Sequence, residues 1–217
     1  DIDTIKKIIQ DFFQEGTVTI VGSGLSLAEG IPGMGELAKK LQMEIPGLLS
    51  ATGDIKNWNN IENDLAKGVG LEEALHNTKP SSYVEECIRK VTAIYIGEAD
   101  KRLLTDIVKT GKQLRFSEYL QRFNIRNEGM TVITTNYDRL LEYACETNEI
   151  MADTLFVGKY IARFKPNQSK YASCIGVQRT NGKGKKLQYS PRVIILKPHG
   201  CLSWHLINSI PYSLPDY

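Results

Sequence analysis

The sequence lacks closely spaced cysteines, long apolar runs and an excess of one charge. Its four cysteines stand far apart without a CxxC pair, which excludes a zinc ribbon and a thioredoxin-type site. No segment approaches the run of about 18–20 apolar residues that spans a membrane. Lys and Arg number 27 against 25 Asp and Glu, so no overall basic field favours nucleic acid. We therefore expect a cytoplasmic chain with free thiols that binds neither membranes nor nucleic acid directly.

The composition that is present is typical of a globular protein. The 217 residues are 41% hydrophobic and 24% charged, which suits one sizeable α/β domain or two small ones. The acidic start, Asp1-Ile2-Asp3, is not a secretory signal. Because the chain opens without Met and ends soon after a strand-like run, we expect a piece of a longer protein that is incomplete at its C-terminus.

Three short runs of β-branched and aliphatic residues predict buried strands at 17–21, 131–134 and 192–196. The last run is almost entirely aliphatic, as in a central parallel strand. A weaker strand is predicted at 154–157. Helical patterns separate the strands, which predicts an α/β fold with a doubly wound, Rossmann-like parallel sheet.

Residues 57–127 read as mainly helical and predict a helical subdomain inserted between two strands of the sheet. Apolar stripes at helical spacing run through this segment, including one formed by Phe116, Tyr119, Leu120 and Phe123, and favour core packing. Gly97 and Gly111 are predicted breaks between the helices. The basic, turn-rich segment 165–190, with residues 183–186 at its tip, is predicted to be a solvated loop.

The first candidate for chemistry is the turn Gly22-Ser23-Gly24, which directly follows the first strand. Backbone amides without a neighbouring Cβ can approach a phosphate closely. The dinucleotide fingerprint fails at Leu27, and the Walker pattern fails because Glu36 stands where Lys is needed. The helical pattern resumes near Gly35. A phosphate site and a plain strand-to-helix turn both remain open.

Two more candidates follow the other strands, at the edge where doubly wound sheets bind ligands. Thr135-Asn136-Tyr137-Asp138 follows the second strand, and Lys197-Pro198-His199-Gly200 follows the third. Asn136 or Asp138 could equally cap the next helix. His199 is well placed to act as a base, whereas we interpret His76 and His205 as structural.

Taken together, these three motifs resemble the sirtuin family. Gly22-Ser23-Gly24-Leu25-Ser26 with Gly30-Ile31-Pro32 resembles its first motif, Thr134-Thr135-Asn136-Tyr137-Asp138 its second, and His199-Gly200 its third. The order and separation of the motifs also match. Three motifs in order, each after a predicted strand, are far more specific than any one alone.

Two departures refine the resemblance. Deacylating sirtuins continue Gly-Ile-Pro with Asp-Phe-Arg, where this chain has Gly33-Met34-Gly35. They also carry a four-cysteine zinc module, for which this sequence has no counterpart, so we expect no zinc. The double Thr before Asn136 and the large helical segment look instead like bacterial sirtuin-like domains that hydrolyse NAD+ during anti-phage defence.

The resemblance implies one NAD-binding domain over residues 1–217, with NAD+ as its substrate. It assigns catalysis to Asn136 and His199. It assigns NAD+ contacts to the following residues: Gly22, Ser23, Gly24, Ser26, Pro32 and Asp138. It further implies a homo-oligomer with an ATPase, nuclease or Argonaute-type partner. Two alternatives stay open, an NAD-dependent protein deacylase and a non-catalytic nucleotide-binding or oligomerising module of a larger defence complex.

Overall fold

The structure is a computed structural model that describes residues 1–11, 16–123, 125, 129–179 and 185–215. The chain forms two compact units, which we call the sheet unit (Asp1–Leu25 with Thr110–Tyr217) and the helical unit (Ser26–Lys109). Every described strand belongs to the sheet unit, and the helical unit is built from helices.

The described residues form nine α-helices and ten strands. In chain order the helices are α1 (Ile2–Asp11), α2 (Ser23–Ala28), α3 (Met34–Glu44), α4 (Thr52–Ala66), α5 (Leu71–Asn77), α6 (Ser82–Thr110), α7 (Arg115–Leu120), α8 (Leu140–Glu146) and α9 (Pro166–Ala172). The strands are β1 (Val18–Val21), β2 (Met130–Thr134), β3 (Met151–Asp153), β4 (Phe156–Val157), β5 (Ala162–Phe164), β6 (Cys174–Arg179), β7 (Lys185–Tyr189), β8 (Arg192–Leu196), β9 (Trp204–Ile207) and β10 (Ile210–Ser213). A short 3-10 helix, Ile45–Leu48, follows α3.

Four strands of the sheet unit form a parallel sheet in the order β1-β2-β8-β3. The register pairs Val18 with Thr131 and Met130 with Val193. β8 lies between β2 and β3, and its Val193 and Ile195 are fully buried, as expected of a central aliphatic strand in a parallel sheet. The predicted α/β class is therefore confirmed, and 192–196 is a central strand. The doubly wound arrangement stays a prediction.

The strand predicted at 154–157 is wrong in its first half. β3 ends at Asp153, and Leu155 has a φ of +67°, which strand residues do not adopt. Asp153 Oδ1 accepts a hydrogen bond from Leu155 N at 2.9 Å. This turn separates β3 from β4, which belongs to a second, antiparallel sheet of order β4-β5-β10-β9.

The basic segment 165–190 contains more regular structure than the predicted loop. It includes α9 and the antiparallel hairpin β6–β7, in which Val177 pairs with Leu187. Both of these side chains are exposed, so the segment lacks the buried periodicity by which a strand is recognised. Of the predicted tip, residues 183–184 lie outside the described residues, and residues 185–186 begin β7.

The helical unit is organised around a buried tryptophan. Its core residues are almost inaccessible to solvent and include Leu41, Ile45, Trp58, Ile61 and Val84. They come from α3, the 3-10 helix, α4 and α6, so this unit has an apolar core of its own. The predicted boundaries 57–127 of an inserted helical subdomain stay a prediction.

The longest helix, α6, passes through a predicted break. Gly97 does not interrupt it, because one glycine inside a long helix costs only about 1 kcal/mol and packing on buried residues such as Val91 and Leu103 outweighs that. The helix ends at Thr110, where Gly111 has a φ of +68°, as is common after a helix C-terminus. No helix in the described part of the chain has both the length and the apolar character that crossing a membrane requires.

A buried ion pair joins β3 to β8 and gives a prediction about the stability of the protein. Arg192 Nη1 lies 2.6 Å from Asp153 Oδ2, with side chains 8% and 1% exposed. We expect Asp153→Asn to lower the free energy of unfolding by about 3–5 kcal/mol, because it leaves a buried guanidinium without its anion. Urea unfolding measures this change. The control is Asp3→Ala, which removes an exposed pair with Lys6 and should change stability by less than about 1 kcal/mol. Equal effects of the two variants would contradict the prediction.

Candidate functional site

The first predicted turn joins β1 to α2. β1 ends at Val21, and α2 begins at Ser23. Ser23 and Gly24 therefore lie in the first turn of a short helix that the sequence does not predict, whereas the helix predicted to resume near Gly35 is confirmed as α3, which begins at Met34. The short, small side chains of this segment contain no apolar periodicity, which is why the sequence does not indicate a helix there.

The glycines of this turn face open space. A side chain at Gly22 or Gly24 would meet no atom within 4 Å of its Cβ, and neither residue has a positive φ. Both glycines are exposed, as is Ser23. The fold itself therefore does not require glycine at these positions. The bare backbone leaves the close approach that a phosphate needs.

A cavity of about 370 Å³ borders the same turn. Its lining includes Gly22 and Gly24 together with Arg115, Phe116 and Tyr119. Pockets for small ligands have volumes of about 300–1,000 Å³. The sequence assigns Phe116 and Tyr119 to a packing stripe and gives no reason to connect them, or Arg115, with the glycine turn. Their proximity depends on tertiary structure.

The second predicted turn is hydrogen-bonded to the first. Asn136 N donates to Thr134 Oγ1 at 3.1 Å, and Asn136 Nδ2 donates to Gly22 O at 3.0 Å. β1 and β2 are parallel neighbours, so their carboxyl ends lie side by side. The structure thus brings together two motifs that lie more than a hundred residues apart.

Asp138 has a local structural role at the start of α8. Its Oδ1 accepts a hydrogen bond from Leu140 N at 3.1 Å, which closes a turn directly before the helix. The N-cap residue of α8 is Arg139. Asp138 is only 5% exposed, and its contact with NAD+ stays a prediction.

The third predicted turn presents His199 to solvent. Gly200 N donates to Lys197 O at 3.0 Å, and Gly200 has a φ of +90°, which glycine adopts without strain. His199 is exposed. Leu202 N then donates to Tyr137 O at 3.0 Å, so the second and third turns are also joined.

A fully buried lysine adds a further connection that the sequence does not predict. Lys197 Nζ lies 2.8 Å from Glu142 Oε1, and its side chain is 0% exposed. The same ammonium donates to Asp138 O and lies 3.6 Å from Cys201 Sγ. One feature of the sequence could have indicated this ion pair. A lysine that directly follows a buried aliphatic strand must either reach water or pair with a polar group.

Burial changes the protonation of this cluster. It raises the pKa of Glu142, and the ammonium of Lys197 opposes that rise. Burial acts to lower the pKa of Lys197, but the attraction of Glu142 and its other neighbours outweighs this, so the pKa lies above its ordinary value. Burial also raises the pKa of the Cys201 thiol. At neutral pH Lys197 is therefore an ammonium and Cys201 a thiol, which is a poor nucleophile.

Ser26 and Pro32 belong to the helical unit. Ser26 is buried, and its carbonyl oxygen accepts a hydrogen bond from Ile31 N at 2.9 Å. Pro32 is half-buried. Glu36, which stands where a Walker lysine would be, accepts a hydrogen bond from Gly33 N at 2.9 Å at the start of α3. The predicted NAD+ contacts of Ser26 and Pro32 stay predictions.

The cysteines do not form a metal site within the described residues. Cys87, Cys145 and Cys201 are buried free thiols, and Cys174 is half-buried. No group of three or more His, Cys, Asp or Glu side chains suited to a metal ion occurs in that part of the chain. The expectation that the protein works without zinc remains a prediction.

Comparison with known proteins connects this geometry to a family. Residues 130–217 match the family model described as SIR2-like domain. The matched range contains β2, the turn with Asn136 and Asp138, and the turn with His199. The chain matches no curated protein. Residues 130–217 are thus similar to a SIR2-like domain, which confirms the predicted sirtuin-like resemblance over this range, where the second and third motifs lie.

Proposed function

We propose that this chain is an NAD+ hydrolase, which splits NAD+ into nicotinamide and ADP-ribose. SIR2-like family members are NAD-dependent enzymes, so the match at 130–217 suggests an NAD-related activity. The observation that carries the finer proposal is the hydrogen bond from Asn136 to Gly22 O. It brings a polar side chain from the second motif against the exposed glycine turn of the first.

In this proposal the glycine turn binds the pyrophosphate. Backbone N–H groups at Gly22 and Gly24 and the hydroxyl of Ser23 are the donors, and the positive end of the peptide dipoles favours the anion. The resemblance also assigns contacts with NAD+ to Ser26 and Pro32. Asp138 binds the carboxamide of nicotinamide or a ribose hydroxyl, while its Oδ1 retains the hydrogen bond from Leu140 N.

The bond to be broken needs little acid catalysis, because the nicotinamide nitrogen is already cationic and leaves neutral. A water oxygen forms a bond to C1′ of the ribose as the C1′–N bond breaks, and the bonding electrons pass to the nicotinamide nitrogen. The proton lost by the water passes to His199, since an imidazole can act as a base near pH 7. Asn136 orients the ribose or the attacking water.

The resemblance extends the proposal to anti-phage defence, in which cytoplasmic NAD+ would be depleted. Unregulated hydrolysis of NAD+ would be toxic to the cell, so the activity needs a gate. We propose that the gate is a homo-oligomer, with an ATPase, nuclease or Argonaute-type protein as its partner. A full-length protein that is monomeric and constitutively active would contradict this part of the proposal.

The first prediction concerns the two proposed catalytic residues. Asn136→Ala and His199→Ala should each lower nicotinamide release at least about 100-fold, the low end for a positioned acid–base group. Because His199 is exposed and Asn136 does not fill the core, stability should change by less than about 1 kcal/mol. His205→Ala is the matched control, since it removes another exposed histidine and should leave turnover unchanged.

Melting temperature and nicotinamide release are measured on the same preparations, without peptide and with any activating partner present. Stable Asn136 and His199 variants with normal turnover would remove both residues from the mechanism. The alternatives predict other results for the unaltered chain. A deacylase would release nicotinamide only when an acylated peptide is present, and a non-catalytic module would bind NAD+ without releasing any.

The second prediction uses the open space above Gly24. Gly24→Ala should raise KM for NAD+ about tenfold or more, equal to about 1.4 kcal/mol, because the methyl group would occupy the surface that the phosphates approach. Stability should stay equal or rise slightly, since alanine favours a helix. The control is Gly53→Ala, because Gly53 is the exposed second residue of α4 with equally open space. A Gly24→Ala variant with normal KM would exclude close binding at this turn.

A further inference from the structure

Lys197 carries a positive charge that has been removed from water. It directly follows β8, a strand of aliphatic residues, and its side chain is 0% exposed. A buried ion pair adds little or nothing to stability when compared with well-packed apolar side chains of similar volume. Stability alone therefore gives no reason for a lysine at this position.

The acceptors around Lys197 suggest a geometric reason. Glu142 lies in the first turn of α8, and Asp138 O belongs to the turn that carries Asn136. Lys197 itself begins the turn that carries His199. One ammonium therefore connects the carboxyl ends of β2 and β8 with the start of α8.

We propose that Lys197 is a positioning residue, whose ammonium holds the Asp138 carbonyl and thereby sets the spacing between the turns that carry Asn136 and His199. This inference rests on the proposed function for the reaction that the spacing serves. Glu142 balances the charge, whereas the hydrogen bond to Asp138 O fixes the position. The bond from Leu202 N to Tyr137 O, at 3.0 Å, is the second fixed point between the same turns.

The orientation of the ammonium is fully determined by its surroundings. An ammonium has three N–H donors, and Lys197 has three neighbours that can accept them, namely Glu142 Oε1, Asp138 O and Cys201 Sγ. A group held in three directions cannot rotate to release the carbonyl. Glu142 Oε2 is buried and has no hydrogen-bond partner among the described residues.

Three variants of the full chain separate positioning from stability. Lys197→Met removes the donor at similar side-chain length. Glu142→Gln keeps the lysine and its bond to Asp138 O but removes the negative charge. The double variant Lys197→Met with Glu142→Leu removes the donor and leaves no buried charge without a partner, so its melting temperature should recover toward that of the unaltered protein.

We expect kcat for nicotinamide release to fall at least about tenfold in both Lys197 variants, because small misplacements of reacting groups cost this much or more. KM for NAD+ should change less than about threefold, since the glycine turn is untouched. Glu142→Gln should keep kcat within about threefold of normal. The inference is overturned if the double variant recovers kcat together with stability, or if Glu142→Gln loses as much kcat as Lys197→Met.

Hydrogen exchange tests the same inference without NAD+ chemistry. In the double variant, amides in peptides spanning 135–142 and 197–204 should exchange at least about tenfold faster, while those of β1 stay unchanged. Native exchange in both peptides would overturn the inference. If the unaltered protein releases no nicotinamide, the proposed function fails, and the exchange result still decides whether Lys197 holds the two turns.

Discussion

An ammonium group that has left water must be surrounded by acceptors from its own chain, and this requirement organises the carboxyl ends of β2 and β8. Lys197 meets it with a carboxylate, a backbone carbonyl and a thiol. Two of these acceptors lie in the segment 138–142 and the third lies just after Lys197, so one charge joins two distant stretches of backbone. Breaking the contact with the carboxylate would leave a buried charge without a partner, which is strongly destabilising.

The parallel sheet determines which turns can meet. Because β1, β2 and β8 are successive neighbours with the same direction, the three turns that follow them emerge at one edge. Hydrogen bonds then connect these turns in sequence, from Asn136 to Gly22 O and from Leu202 N to Tyr137 O. The order of the strands places the three turns side by side, and the hydrogen bonds between the turns set the distances between them.

Similar polar residues in these motifs have different roles, which depend on their neighbours. Asp138 accepts a hydrogen bond from Leu140 N in its own turn, whereas Asn136, two residues earlier, donates to Gly22 O in the turn after β1. Glu36 caps α3 at a position where a phosphate-binding lysine was conceivable. Asp, Asn and Glu suit both helix caps and ligand contacts because they carry short side chains with hydrogen-bonding oxygens.

The sequence by itself determined the α/β class, the strands β1, β2 and β8, and the polar turns after them. These features depend on local properties, namely β-branched composition, helical periodicity and the positions of glycine. It did not predict the hairpin β6–β7, the continuity of α6 through Gly97, or the short helix α2, because the local pattern there is weak or is outweighed by packing.

Tertiary structure alone decided which side chains meet. The pairing of Lys197 with Glu142, the cavity beside Gly22 that Arg115 and Tyr119 border, and the bond from Asn136 to Gly22 O all join residues far apart in the chain. No local pattern encodes such contacts. They arise because strand order and burial bring distant groups together, and because a buried polar atom is stabilised when it finds a partner.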